Sequence, residues 1–74
     1  YVAEDDPDAA VRLVLKIQVG VEQLAEFPMM GRAGRVEGTR ELVIVGTPYV
    51  VIYRVKGKAV EILRVLHSAR KYPD

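Results

Sequence analysis

The chain has no cysteine and no tryptophan, and only one histidine and one phenylalanine. Without cysteine there is neither a disulfide staple nor a thiolate metal site, and a lone histidine cannot build a metal centre unaided. No metal and no cofactor is therefore expected. Long apolar runs are also missing. The longest spans about five residues, far below the roughly 20 that cross a bilayer. No stretch resembles a signal peptide, so a cytoplasmic protein with no membrane association is expected. What is present is globular: half of the 74 residues are apolar and 28% are charged. A chain of this length bounds one small domain, over residues 1–74. Its core alone stabilises it little, which makes help from a partner an expectation.

Net charge is +1, but the sign is unevenly placed. Residues 1–31 sum to −4 and residues 32–74 to +5. The second half should attract an anionic or acidic partner. The opening Tyr1-Val2-Ala3-Glu4 reads as the tail of a helix already under way, so further sequence upstream is expected.

Asp6-Pro7-Asp8 is a helix start. Asp6 serves as N-cap, Pro7 fits the first turn where no N–H is required, and Asp8 favours the positive helix end. Ala10, Val14, Ile17, Val21 and Leu24 then step by four and three, which is helical spacing. Val11, Leu15 and Val19 form a second stripe, more apolar surface than one packing contact requires. Gly20 weakens the helix but permits close approach of a neighbour. Pro28 ends it. Met29 to Gly38 holds three glycines with Arg32 and Arg35 and reads as a loop. No strand precedes it and no Lys-Ser/Thr follows it, which excludes a P-loop.

Twelve of the 28 residues from Thr39 to Leu66 are Val, Ile or Thr. They divide into strands Thr39–Val45, Tyr49–Val55 and Ala59–Leu66, separated by Gly46-Thr47-Pro48 and Lys56-Gly57-Lys58. The spacing predicts a three-stranded antiparallel meander. With three-residue connections, Val45 faces Tyr49 and Val55 faces Ala59. Arg40, Arg54 and Arg64 then rim one sheet face, while Glu41 and Glu61 flank Tyr53 on the other as solvated edge residues. Both faces have an apolar middle. One should be covered by the helix and the other by a further segment or a partner. Arginines on a sheet are commonly cross-strand ion-pair partners. Three converging on one face also suit recognition of an anion or partner through planar guanidinium hydrogen bonds. His67, just past the last strand, is either a hydrogen-bonded structural residue or a general acid or base. Its neighbour Ser68 points the other way, which argues against a Ser-His-acid triad. Tyr72 offers a ring to pack and a hydroxyl to bond.

Several strings in this chain resemble the RelE/ParE superfamily of toxins from bacterial type II toxin–antitoxin pairs. They are Phe27-Pro28, Gly31-Arg32, Gly38-Thr39-Arg40-Glu41-Leu42, Pro48-Tyr49-Val50-Val51-Ile52-Tyr53-Arg54-Val55 and Val60-Glu61-Ile62-Leu63-Arg64-Val65-Leu66-His67-Ser68-Ala69-Arg70. The resemblance implies an α+β fold: a short first strand, a helical hairpin, then an antiparallel sheet. The first strand and most of the first helix would lie upstream of this chain. It also implies a cognate antitoxin and a toxin–antitoxin hetero-oligomer, with Arg40, Arg54, Arg64 and Arg70 as partner-binding residues. One branch of the superfamily cuts mRNA in the ribosome; the other poisons DNA gyrase. The cleaving branch commonly carries a basic residue early in the strand that here reads Tyr49-Val50-Val51-Ile52, and this sequence has none there. The closing segment looks closer to the ParE side, which implies gyrase inhibition without catalysis. The alternatives are mRNA cleavage, with Arg54, Arg64 and His67 as the catalytic set, and a non-toxic remnant that only binds an antitoxin.

Overall fold

The computed structural model describes residues 7–68. Its elements are helix α1 (Pro7–Glu26) and strands β1 (Arg32–Ala33), β2 (Arg40–Val43), β3 (Tyr49–Lys56) and β4 (Ala59–His67). The strands form one antiparallel sheet in the order β1-β2-β3-β4. The α+β architecture is the expected one. The sheet, however, has four strands rather than three, because two residues of the expected loop pair with β2. Gly34 N donates to Thr39 O at 2.8 Å, and the Thr39 hydroxyl and N–H both donate to Val36 O, closing that hairpin. Asp6, Arg70 and Tyr72 lie outside the described residues.

The helix begins at Pro7 and its final bond is Phe27 N to Gln23 O, one residue before Pro28. It meets the sheet through Ile17, Gly20 and Leu24, which join Ile44, Val51 and Tyr53 with Leu42, Val55 and Val60 in the main core. Gly20 is where the two layers come closest. A Cβ there would stand 2.7 Å from Ile44 Cδ1, so the missing side chain lets the layers meet. The second stripe is bare: Val11, Leu15 and Val19 are each more than half exposed. Val14, expected on the packed stripe, is exposed with them. Among the described residues, no helix is long and apolar enough to cross a membrane.

The register departs from the three-residue-loop expectation. Ile44, not Val45, is opposite Tyr49, and Leu42 pairs with Val51, so the four residues 45–48 link that closing pair. At the next hairpin Lys56 pairs with Ala59, leaving the two-residue turn Gly57-Lys58. Gly57 has φ +62° and Lys58 has no positive φ, the pattern of a II′ turn with glycine at its first central position. A one-residue bulge then shifts the β3–β4 register between Tyr53↔Ile62 and Ile52↔Arg64.

An error of one residue moves every side chain to the other face. The helix side therefore carries Arg40, Leu42 and Ile44, then Tyr49, Val51, Tyr53 and Val55, then Val60, Ile62, Val65 and His67. The far side carries Glu41 and Val43, then Val50, Ile52, Arg54 and Lys56, then Glu61, Arg64 and Leu66. Val50, Ile52 and Leu66 are buried there as a second cluster.

Candidate functional site

Arg40, Arg54 and Arg64 do not share a face. Arg40 pairs with Tyr53 on the helix side, whereas Arg54 and Arg64 stand on the far side beside Ile52. The cause is the extra residue in the β2–β3 connection. Arg40 serves the local structure instead. Its Nε donates to Gly31 O and one terminal nitrogen to Met29 O, each at 3.1 Å, fixing the segment that leaves the helix.

The far side has its own basic set. Cross-strand pairing lines up Arg64, Ile52, Glu41 and Arg32 in one row across all four strands. Glu41, expected at a solvated edge, is only 4% exposed. Its carboxylate accepts from an Arg32 guanidinium nitrogen and from Arg35 N–H, both at 3.2 Å. A buried carboxylate needs such partners, since stripping it of water without them is costly. Glu41 thereby fixes the β1–β2 hairpin and holds Arg32, itself largely exposed, on the rim of the far side. Arg32 is the site residue that sequence reasoning missed. A two-residue strand is too short for periodicity, and the available signal was the Gly34–Thr39 turn.

Arg54 makes a cross-strand ion pair with Glu61, 2.7 Å apart, and both side chains remain nearly half exposed. That is the bland reading of a sheet arginine. An exposed pair contributes about 0–1 kcal/mol, so an incoming carboxylate can compete for the guanidinium at little cost. Beside the Arg32–Glu41 pair lies a small cavity of ≈ 90 Å³ lined also by Arg35, by the Val50–Ile52–Leu66 cluster and, at the strand end, by His67 and Ser68.

His67 is paired with Tyr49 on the helix side, ring centroids 5.4 Å apart in an edge-to-face arrangement at 78°. Of the candidate catalytic set, Arg54 and Arg64 stand on the far side, while His67 sits at the strand end with its ring against Tyr49 and also borders the far-side cavity, which neither arginine lines. What the far side offers is an apolar floor with guanidinium groups at Arg32, Arg54 and Arg64 around it, suited to an anionic segment with apolar side chains.

The family described as ParE toxin of type II toxin–antitoxin system, parDE, matches residues 1–72. The protein Y4kP of Sinorhizobium fredii is 48% identical over the whole chain, which covers 76% of it. Toxin RelE2 of Caulobacter vibrioides is 40% identical over 95% of the chain and 77% of its own length. Toxin RelE1 of the same organism is 35% identical over 92% of the chain and 74% of its own length.

Proposed function

Since the chain belongs to the ParE toxin family of type II toxin–antitoxin systems, we propose that it arrests cells by inhibiting DNA gyrase, and not by cutting RNA. The carrying observation is the division of the cleavage set. A general acid or base must reach the proton it moves, and charge stabilisers must reach the same phosphate. His67 packs edge-on against Tyr49 at the strand end, whereas Arg54 is ion-paired with Glu61 and neither Arg54 nor Arg64 borders the far-side cavity that His67 lines. A toxin that acts by binding has no such requirement. In a supercoiling assay, the full chain at saturating concentration is expected to suppress gyrase activity. Unchanged supercoiling overturns the proposal.

One observation favours a second reading. Arg32, Arg54 and Arg64 do share the far side, and guanidinium groups suit a phosphate backbone. A ribosome-dependent mRNA endoribonuclease would leave new 5′ ends in primer extension on translated messages. Intact messages in toxin-arrested cells reject it.

In either case the far side is the proposed dock for an acidic segment of the cognate antitoxin. The double substitution Arg54→Ala with Arg64→Ala is expected to raise the toxin–antitoxin Kd by about tenfold or more, chiefly through a slower, less salt-sensitive association. Arg40→Ala should lower stability while leaving Kd unchanged. A Kd that follows Arg40 and ignores Arg54 and Arg64 would place the antitoxin elsewhere.

A further inference from the structure

The far side carries two arginine–glutamate pairs of opposite kind. Glu41 is buried, and it accepts from Arg32 and from Arg35 N–H, each at 3.2 Å. Breaking those bonds would strand a desolvated carboxylate, so that pair is fixed. Glu61 differs. It meets Arg54 at 2.7 Å across the β3–β4 ladder, yet both side chains stand nearly half in water. A released Glu61 carboxylate is simply hydrated, and separating such a pair costs little.

The charge around Glu61 is lopsided. Lys56 follows Arg54 two residues on, exposed and on the same face, and the Gly57-Lys58 turn comes next. Residues 54–61 hold three cations, Arg54, Lys56 and Lys58, against the single carboxylate of Glu61. The apolar floor leads straight to this tip. Val50, Ile52 and Arg54 occupy alternate positions of β3, so two buried side chains and then a guanidinium follow one another along one face. An acidic segment that rests on Val50 and Ile52 thus reaches Arg54 and finds it already occupied.

We propose that Glu61 is a built-in competitor for a carboxylate of the docking partner. It holds Arg54 in the free chain, yields it when an acidic segment docks, and recaptures it as that segment leaves. The proposal rests on the far side being the antitoxin dock and adds a device that keeps this contact exchangeable. Because the guanidinium is paired in both states, the gain from the partner carboxylate is only the difference between two similar ion pairs. A partner with an amide in that place leaves the Arg54–Glu61 pair intact, since the amide carries no charge to displace Glu61.

The test compares Glu61→Gln with Glu22→Gln, which removes the same unit of charge from an exposed position of α1. Binding and dissociation are measured on the full chain at low and high salt. The probes are the cognate antitoxin and two synthetic peptides, one of leucine and aspartate, the other with asparagine in place of aspartate. Glu61→Gln is expected to tighten the antitoxin and the aspartate peptide by about three- to fivefold beyond Glu22→Gln. The excess should lie in slower dissociation and shrink at high salt. The asparagine peptide should gain nothing. If Glu61→Gln fails to fold, Glu61→Thr carries the same expectation. The two ways of failing are separable. If Arg54→Ala with Arg64→Ala leaves Kd unchanged, the dock lies elsewhere and both readings fall. If that variant weakens binding while Glu61→Gln matches Glu22→Gln, weakens binding, or helps both peptides alike, the dock stands and the competitor role is overturned.

Discussion

Leu24→Ala is expected to remove about 2–5 kcal/mol of unfolding free energy, the cost of a cavity where a fully buried leucine stood. Leu24 has no exposed surface and closes the core against Ile44, Val51 and Tyr53. A domain of 74 residues holds only about 4–11 kcal/mol in total, so this one truncation removes a large share. The reason for its weight is the narrowness of the helix–sheet contact. Val11, Val14, Leu15 and Val19 are exposed, so the contact runs through fewer apolar residues than the helix carries, with Ile17, Gly20 and Leu24 at its centre. A urea titration measures the change as a lower midpoint at similar slope. A loss below about 1 kcal/mol would mean that the helix is not anchored there.

Gly31→Ala is the second large effect, and it is coupled to Tyr53. The Tyr53 hydroxyl is buried. It donates to Pro28 O and accepts from Gly31 N–H, both at 2.8 Å, tying the exit of the helix to the centre of the sheet. A Cβ on Gly31 would stand 2.5 Å from that hydroxyl, 2.7 Å from Tyr53 Cε1 and 2.8 Å from the carbonyl oxygen of Glu41. The carbonyl is sheet backbone and cannot yield. Gly31→Ala should therefore cost about 1–3 kcal/mol through overpacking. Tyr53→Phe should cost a similar amount, about 1–3 kcal/mol, because it leaves Gly31 N–H and Pro28 C=O without their partner. Made together, the two should cost less than their sum, since each damages the same contact. Strict additivity in thermal or urea melts would show that the two residues do not meet.

These residues also mark what the sequence discloses and what it does not. The helix was legible because Pro7, the stripe to Leu24 and Pro28 each act locally. The core strands were legible from β-branched density, and the bare Val11–Leu15–Val19 stripe from its excess over one contact. The register was not. Both faces of the sheet are apolar in the middle, so alternation could not choose between adjacent phases. The deciding facts were a four-residue connection after Ile44 and a two-residue turn at Gly57-Lys58, neither marked off within the apolar runs. Glu41 shows the same limit. Its burial follows from Arg32 and the Arg35 N–H reaching it across a hairpin whose first strand is two residues long. The far-side site was therefore legible in its residue types, with Arg54 and Arg64 placed together. Arg32 stood where Arg40 was expected.

The bulge in β4 has a further consequence. Leu63 is surplus to the pairing: Ile62 already has Tyr53, and Arg64 already has Ile52. Removing that one codon would straighten the ribbon yet leave its eight cross-strand neighbours unchanged. A deletion farther along the strand, at Val60 for example, would shift the residues between it and the bulge out of phase. Length variation among kin should therefore collect at this point as single-residue gaps, because there the chain can shorten without exchanging its inside for its outside.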